Sequence, residues 1–320
     1  MKSVGIIGAN GYTGSELVRL LAFHPKIKLQ FLCSRSNSGV KISDIYPDLI
    51  GVCDDFLTNE IHEVDIIFLC LPHQESKNWL AENPLKENVL VIDLGNDFRL
   101  ESNFQDRNFI YGLPELFKNK LKSAKSIANP GCFATAIQLA LLPLAKEKLL
   151  AAINTTGITG STGAGQSLST TTHFSWRNDN ISAYKSLNHQ HVDEILKTLN
   201  QTNEKGIELH FVPWRGDFAR GIFTSSTLKC DLEIEEIQKI YKDYFKDAGF
   251  VNISEKPIDM KQVVNTNRCA IHIEKNKDTI VIHSAIDNLL KGASGQAVQN
   301  MNIAMDWEEN TGLQLKPAAF

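Results

Sequence analysis

The chain has 320 residues, of which 42% are hydrophobic and 22% are charged, and its formal net charge is -4. This length predicts two domains of roughly 150 residues each, whose cores need neither disulfides nor metal ions. The mild negative charge argues against a nucleic-acid binder, and no stretch of the chain offers the ~20 consecutive apolar residues of a membrane span.

Short apolar runs alternate with helical stretches over the first 130 residues. These runs are apolar enough to predict a parallel sheet that is covered on both faces. Such a sheet binds ligands beyond the carboxyl ends of its strands. The predicted strands are 3–8, 27–33, 65–71 and 88–94, with a helix over 15–23 after the first of them.

The pattern changes after about Asn129. A helix over 133–142, which Pro143 should end, is followed by strand-like runs in which apolar and polar residues alternate. These features predict a second, α+β domain. Its predicted strands are 206–211, 222–228, 269–274 and 279–284, and a last helix covers 297–307.

A glycine-rich turn follows the first predicted strand directly and leads into its helix. Glycines at such a turn let the backbone approach a pyrophosphate, and the helix start adds unpaired N–H groups and partial positive charge. A dinucleotide is therefore the expected ligand, although an ordinary tight turn between strand and helix would use the same glycines. The expected cofactor contacts here are Gly8, Asn10, Gly11, Tyr12, Thr13 and Gly14.

The end of the second predicted strand indicates which dinucleotide binds. An NAD site carries an acidic residue about 20 residues beyond the glycines. This chain has Ser34, Arg35 and Ser36 there instead, and a guanidinium between hydroxyls suits the 2′-phosphate of NADP. NADP is thus the expected cofactor, and a solvated arginine in a surface loop is the alternative.

Six cysteines without any C-x-x-C pair do not indicate a disulfide framework or a zinc ribbon. The first residues do not match a signal peptide, so we expect a cytoplasmic protein with free thiols. Cys132 stands apart because it follows Asn129-Pro130-Gly131 and opens a predicted helix. A helix N-terminus favours the thiolate, which makes Cys132 a candidate nucleophile; an inert, capped cysteine is the alternative.

His189, His191 and Glu194 form the best candidate for an accompanying acid–base pair. If a helix begins near residue 192, Glu194 lies in its first turn and can orient a neighbouring imidazole. A metal site would need a third ligand that the sequence does not place, so no metal is expected. Two solvent-exposed histidines are the remaining alternative.

Together these segments resemble the N-acetyl-γ-glutamyl-phosphate reductases, an arginine-pathway family related in fold to the semialdehyde dehydrogenases. The resemblance implies an α/β fold with a Rossmann-type parallel-sheet domain over 1–130, completed by a C-terminal helix at about 291–320. It also implies an α+β substrate and oligomerisation domain with a mixed sheet over 131–290. The motifs that carry the resemblance, in family order, are 8–17, 71–73, 93–99, 111–115, 129–135, 160–165, the His189/His191/Glu194 cluster and 291–300.

The resemblance implies a reaction through a cysteine thioester. Cys132 attacks the γ-acyl phosphate and expels phosphate, hydride from NADPH reduces the thioester, and N-acetylglutamate 5-semialdehyde is released. His191, held by Glu194, is the implied acid–base, and His189 is the implied substrate contact, although the two could exchange roles. A homodimer or homotetramer is implied as well.

The resemblance also assigns the remaining site residues. Arg99 and Arg220 are expected to bind anionic groups of the substrate, with Ser161 beside them. The glycine loop 160–165 is expected to offer backbone N–H groups to phosphate or nicotinamide. Alternatives are a surface ion pair for Arg99 and a helix cap for Gln296. The cofactor contacts implied in this way are Pro72, His73, Gly163, Gly165 and Gln296.

Some residues depart from the family pattern. Phe133 replaces a tyrosine, Gln166 replaces a basic residue, and Trp214 and Asp217 replace a histidine and a proline. Arg215 is an addition, and Arg177 lies in another atypical segment. Extra arginines near the pocket would suit a second carboxylate, as in an N-succinyl substrate; surface arginines are the alternative.

Two other functions are compatible with parts of the pattern. Aspartate-semialdehyde dehydrogenases share the fold and the cysteine chemistry, but their nucleophile typically follows Asn without Pro-Gly. A dinucleotide-sensing regulatory protein should have a broken cysteine or histidine motif, whereas both motifs are intact here.

Overall fold

The computed structural model describes residues 1–318, which divide into two compact units. The first unit comprises Met1–Pro130 and Ala293–Gln314, and the second comprises Gly131–Gly292 and the tail from Leu315. Within residues 1–318, no helix combines the length and the apolar character needed to cross a bilayer. The predicted fold class, a parallel-sheet domain with an α+β domain, is confirmed.

The first unit is built on a seven-stranded parallel sheet in the order β3-β2-β1-β4-β5-β9-β8. The central strands are buried on both faces, as their apolar sequences predict. The strands are β1 Lys2–Ile7, β2 Ile27–Cys33, β3 Leu57–Thr58, β4 Ile66–Leu69, β5 Leu90–Asp93, β8 Ile110–Tyr111 and β9 Ser126–Ala128, with a separate hairpin of β6 Asn103–Phe104 and β7 Arg107–Asn108. The helices are α1 Tyr12–Leu21, α2 Ile42–Ile45, α3 Glu75–Glu82 and α4 Pro114–Leu121.

The second unit is built on a mixed sheet of seven strands in the order β11-β12-β10-β13-β16-β15-β14. The β10/β12 and β14/β15 pairs are parallel and the other pairs are antiparallel. The strands are β10 Ala152–Thr159, β11 Ser182–Ala183, β12 Glu208–Arg215, β13 Ile222–Lys229, β14 Val251–Ser254, β15 Cys269–Asn276 and β16 Thr279–Ile286. The helices are α5 Cys132–Lys146, α6 Phe174–Arg177, α7 His191–Asn203 and α8 Ile234–Tyr244.

Helix α5 is the central helix of the second unit. It packs against α7, α8 and the sheet, and almost all of its side chains are buried. The expectation that Pro143 ends this helix is wrong, because α5 continues to Lys146. Proline in the helix removes one backbone hydrogen bond. Burial of an apolar surface on every side offsets that loss near the end of the helix.

The start of α5 is held against the sheet by an aromatic ring that needs a glycine opposite it. Phe133 is 1% exposed, and its ring lies edge-on to that of Phe211, with centroids 5.0 Å apart. A Cβ at Gly157 would come within 2.6 Å of the Phe133 ring. This close approach fixes where the residue before Phe133, Cys132, emerges from the core.

Helix α9, Ser294–Ala304, returns to the first unit and packs against α1 and α4. It begins three residues earlier and ends three residues earlier than the pattern over 297–307 predicts. Its polar residues are buried: Gln296 and Asn300 both donate a hydrogen bond to the carbonyl of Gly112 at 2.9 Å. The amides therefore satisfy a loop carbonyl that no strand pairs with.

Candidate active site

The candidate nucleophile occupies a helix start that a buried carboxylate holds in place. Cys132 is the first residue of α5, and Gly131 is its N-cap with an extended backbone. The N–H of Gly131 donates to Oε1 of Glu194 at 2.8 Å, and Glu194 is 4% exposed. Because Glu194 lies in the first turn of α7, this hydrogen bond ties the starts of two helices together. The thiol of Cys132 thus sits where the helix dipole favours an anion.

The two histidines are buried side by side at the start of α7. The exposed fractions are 8% for His189 and 6% for His191, and their ring centroids are 4.7 Å apart. The alternative of two solvent-exposed histidines is therefore wrong. Nδ1 of His189 accepts the backbone N–H of His191 at 3.2 Å, so this nitrogen acts as an acceptor.

His189 stays neutral near pH 7. Burial lowers its pKa to about 4, and the positive charges of Lys185 and Arg215 act in the same direction. The rings around it are apolar or aromatic, which explains the cost of a charge there. The aromatic rings in contact with His189 are those of Phe133, Tyr184, His191 and Phe211.

A glycine makes room for the nucleophile on its other side. A Cβ at Gly292 would lie 2.8 Å from Cβ of Cys132 and 2.6 Å from the carbonyl oxygen of Asn288. No other residue type fits that position without displacing Cys132 or the 288–292 turn. The glycine of the 291–300 motif therefore has a direct steric connection to Cys132.

Asp287 fixes this turn and pairs with Arg220. The carboxylate of Asp287 is fully buried and receives Nε of Arg220 at 3.1 Å and Nη2 at 3.2 Å. It also accepts three backbone N–H groups. Most of the guanidinium's charge is thus matched by one carboxylate, so Arg220 organises the site as well as being a candidate anion contact. The three N–H donors are Asn265, Leu289 and Leu290.

The glycine loop 160–165 uses its backbone N–H groups inside the protein. The N–H groups of Gly160, Ser161 and Thr162 donate to carbonyls of the 218–221 segment, and those of Gly163 and Gly165 close tight turns within the loop. The expectation that this loop offers those N–H groups to an anion is wrong, because they are already paired. Ser161 remains a candidate contact through its side-chain hydroxyl. Gly165, whose φ is +76°, remains a candidate contact through its backbone conformation.

Arg99 is buried in the first unit rather than paired on the surface. Its Nε donates to the carbonyl of Asn129 at 2.9 Å and its Nη2 to that of Leu94 at 3.0 Å. Because only 6% of the surface of Arg99 is exposed, the alternative of a surface ion pair for this residue is wrong. Its carbonyl partners link the end of β5 to the residue that follows β9, and its contact with a substrate anion stays a prediction.

The glycine loop of the first unit has the shape that a dinucleotide requires. Gly8 has φ +81°, and a Cβ there would lie 2.3 Å from the carbonyl oxygen of Cys70. A Cβ at Gly14 would meet the carbonyl oxygen of Gly8 at the same distance, 2.3 Å. Gly11 is the N-cap of α1, so Tyr12 and Thr13 open that helix with unpaired backbone donors. These residues fit a pyrophosphate at the loop.

The candidate 2′-phosphate contacts lie at the end of β2. The side chain of Arg35 is 71% exposed, and its guanidinium is 3.8 Å from the carboxylate of Glu82. Oγ of Ser34 is buried and has no hydrogen-bond partner in the described chain. Asn10 donates to the side chain of Asn37 at 3.2 Å and so joins the glycine loop to this segment. An exposed guanidinium next in sequence to an unpaired hydroxyl fits a phosphate group.

The other cofactor candidates occupy the first unit as well. Pro72 and His73 are exposed just beyond β4, at the carboxyl end of the sheet. Gln296 is fully buried, and its amide donates to Gly112 while its Oε1 has no partner among residues 1–318. The helix-cap alternative for Gln296 is wrong, because its side chain reaches another loop.

All six cysteines are free. No group of three or more His, Cys, Asp or Glu side chains among residues 1–318 is arranged to hold a metal ion. Tyr184 and Asp287 were missed by sequence reasoning, because neither belongs to a motif or a periodic pattern.

Each of the two units matches a known protein-domain family. Residues 3–124 match the model of the semialdehyde dehydrogenase NAD-binding domain, and residues 132–288 match that of the semialdehyde dehydrogenase dimerisation domain. Three relatives named N-acetyl-γ-glutamyl-phosphate reductase align with this chain over the full length of both sequences. They come from Phocaeicola vulgatus (51% identity), Bacteroides fragilis (50%) and Flavobacterium johnsoniae (50%).

The chain belongs to the N-acetyl-γ-glutamyl-phosphate reductase family. As a member of that family it is an oxidoreductase of amino-acid biosynthesis, so a regulatory protein without activity is excluded. Solved structures with the same fold include aspartate semialdehyde dehydrogenase II from Vibrio cholerae (TM-score 0.74, 16% identity), covering 96% of this chain and 98% of that one. Another is the Candida albicans aspartate semialdehyde dehydrogenase with NADP (TM-score 0.69, 16% identity), covering 95% of this chain and 98% of that one.

Replacing Asp287 by asparagine should strongly destabilise this reductase-family protein. The guanidinium of Arg220 would lose its carboxylate in a mostly buried position, which costs about 3–5 kcal/mol. Urea unfolding measures the change in free energy of unfolding. Asp278→Asn is the matched control, because Asp278 pairs with Lys229 on the surface and should contribute less than about 1 kcal/mol. Equal effects of the two substitutions would contradict the structural role of Asp287.

The low pKa of His189 should make stability depend on pH. An unfolded histidine takes up a proton near pH 6.5, whereas folded His189 does so near 4. The unfolded state therefore binds more protons in this window, and the free energy of unfolding falls as pH drops from about 6.5 to 4. Replacing His189 by glutamine should remove a contribution of at most about 3 kcal/mol to that fall.

Unfolding free energies of the wild type and His189→Gln measured from pH 4 to 7 test this prediction. The exposed His62→Gln variant serves as control and should keep the wild-type slope. A slope unchanged in His189→Gln would show that His189 is protonated equally in both states.

Proposed function

We propose that the protein catalyses the NADPH-dependent reductive dephosphorylation of N-acetyl-L-glutamyl 5-phosphate to N-acetyl-L-glutamate 5-semialdehyde. The observation that carries this proposal is the start of α5, where Glu194 holds the backbone next to Cys132 beside two buried histidines. The relatives bear the name of this activity, and the Asn129-Pro130-Gly131-Cys132 motif matches it. A homodimer or homotetramer in the cytoplasm is part of the proposal, supported by the match to a dimerisation domain.

Each step of the proposed reaction uses a described group. The Cys132 thiolate adds to the γ-carbonyl carbon, the C–O bond to phosphate breaks, and a thioester remains. When bound, NADPH supplies the hydride that reduces the thioester carbon. Hydride addition leaves a thiohemiacetal oxyanion, which takes up a proton from His191. That proton returns to His191 as the C–S bond breaks, so the aldehyde leaves and the thiolate is restored.

The histidines divide the proton transfers between them in this proposal. His191, oriented by Glu194, moves the proton of the thiohemiacetal hydroxyl. His189 is neutral, with Nδ1 occupied by the N–H of His191, so its Nε2–H is a hydrogen-bond donor for a substrate oxygen. Arg99, Ser161 and Arg220 are proposed contacts of the substrate's anionic groups.

We propose NADP rather than NAD as the cofactor. The loop of Gly8, Gly11 and Gly14 has room for the pyrophosphate, and the exposed Arg35 with the unpaired Ser34 hydroxyl suits a 2′-phosphate. Asn10, Tyr12, Thr13, Pro72, His73, Gly163, Gly165 and Gln296 are the other proposed contacts.

Replacing Cys132 by serine should abolish the reaction. The alcohol is a far weaker nucleophile than the thiolate, and phosphate-dependent reduction of NADP with N-acetylglutamate semialdehyde should fall by several orders of magnitude. Cys53→Ser is the matched control, because Cys53 is buried outside the site and should leave the rate within about twofold. Full activity in Cys132→Ser would refute the covalent mechanism.

Replacing Arg35 by alanine should weaken the binding of NADP more than that of NAD. Loss of one charge-assisted hydrogen bond to the 2′-phosphate raises KM for NADP by about tenfold or more. KM for NAD should change little, since NAD lacks that phosphate. Lys28→Ala is the control, because Lys28 is an exposed cation on β2, the strand that precedes Arg35. Equal losses for the two cofactors would contradict the assignment of Arg35.

A further inference from the structure

We propose that Tyr46 is a positioning residue for the dinucleotide, which acts by holding the glycine loop of the first unit in the shape that receives a pyrophosphate. This inference rests on the proposed function, whose cofactor site it extends to a segment outside the glycine motif. The hydroxyl of Tyr46 donates to the backbone carbonyl of Asn10 at 2.9 Å, across 36 positions of the chain. The contact therefore joins the connection between β2 and β3 to the glycine loop.

Tyr46 is fixed by buried residues on both sides of it. It follows α2 directly, and its N–H donates to the carbonyl of Ile42 at 2.9 Å. The carbonyl of Tyr46 accepts the N–H of Leu49, also at 2.9 Å. The exposed fractions of Ile42 and Leu49 are 0% and 1%, so core packing holds this turn. A side chain that starts from a packed turn loses less freedom when its hydroxyl is held by a partner.

The carbonyl that Tyr46 holds belongs to the peptide unit between Asn10 and Gly11. Because a peptide unit is planar, its C=O and N–H groups turn together. The N–H of Gly11 donates to the carbonyl of Gly8 at 3.1 Å, so both ends of this unit are hydrogen-bonded. Gly11 is also the N-cap of α1, and the residues that follow it open that helix. The Tyr46 hydroxyl thus helps to set the direction of the first N–H groups of α1.

Other N–H groups of the glycine loop are used inside the protein. Those of Gly8 and Ala9 both donate to the carbonyl of Cys33, at 2.9 Å and 3.0 Å. The N–H of Gly11 is bonded within the loop, as described above. A pyrophosphate at this loop therefore depends on the N–H groups at the start of α1, and their direction depends on the peptide unit that Tyr46 holds.

A second contact from the same segment fixes the side chain of Asn10. Its Nδ2 donates to Oδ1 of Asn37 at 3.2 Å and to Oγ of Ser36 at 3.4 Å. Ser36 in turn donates to Oδ1 of Asn37 at 2.7 Å. The connection between β2 and β3 thus holds Asn10 at its carbonyl and at its amide. Its effect should extend to the pyrophosphate, which NADP and NAD share.

The test measures the binding of both dinucleotides to a variant that lacks only the hydroxyl. For Tyr46→Phe we expect titration calorimetry to give dissociation constants about three- to tenfold higher for NADP and for NAD alike. KM for NADP should rise by the same factor while kcat stays within about twofold, because the lost contact affects binding and not the thiolate or hydride steps. Arg35→Ala, in contrast, should weaken NADP binding and leave NAD binding almost unchanged.

Tyr241→Phe is the matched control. The Tyr241 hydroxyl also donates to a backbone carbonyl, that of Ala140, but it is buried in the second unit. Its loss should lower the free energy of unfolding and leave both dissociation constants within about twofold. Asn37→Ala is a second variant, because Asn37 lies in a loop and is only partly buried. It should also weaken NAD binding, although NAD has no 2′-phosphate.

Unchanged NAD binding in both Tyr46→Phe and Asn37→Ala overturns the inference. A loss in Tyr46→Phe that is confined to NADP also overturns it, because Tyr46 would then act on the 2′-phosphate and not on the pyrophosphate. Should Tyr46→Phe fail to fold, unchanged NAD binding in Asn37→Ala alone is sufficient to reject the inference. Absence of NADP binding by the wild type refutes the proposed function instead.

Discussion

The hydrogen bond from the Gly131 N–H to the Glu194 carboxylate determines the geometry of the candidate site. It joins the first turns of α5 and α7, and Cys132, His189 and His191 all lie within five residues of one of its ends. A buried carboxylate that accepts a backbone N–H holds that backbone firmly, because breaking the bond leaves a charge unpaired. The apolar packing of α5 places the helix, and this one polar contact orients its first turn.

Around this contact, buried polar groups of the second unit hold several loops in place. Asp287 accepts five hydrogen bonds, and Asn288 accepts the N–H of Gly221 at 2.7 Å and donates to Thr162 at 3.0 Å. Three loops are thereby fixed next to Gly292, whose missing side chain leaves space for Cys132. Such fixed loops let a nucleophile keep one orientation without contributing to the chemistry themselves.

Local patterns in the sequence predicted the parts of the molecule that depend on local physics. The two-domain fold, the glycine loop before α1 and a cysteine at a helix start follow from periodicity and helix-end chemistry. The hydrogen-bond partners of long polar side chains did not follow from these local patterns. Arg99 donates to backbone carbonyls that the sequence did not indicate, and its contact with an anion stays a prediction. The N–H groups of residues 160–163 and 165 were expected to be available to a ligand and are paired. Residue type shows what a group can bind, whereas tertiary structure decides which partner it contacts. Tertiary packing likewise lets α5 continue beyond Pro143.

Arg215 and the neutral imidazole of His189 both lie against the ring of Tyr184. The charge of Arg215 contributes to the low proton affinity of His189. Burial is the larger cause of that low affinity, and it also raises the pKa of Tyr184 to about 12. Both rings therefore stay uncharged near pH 7, because the same removal of water disfavours the charged form of a base and of an acid.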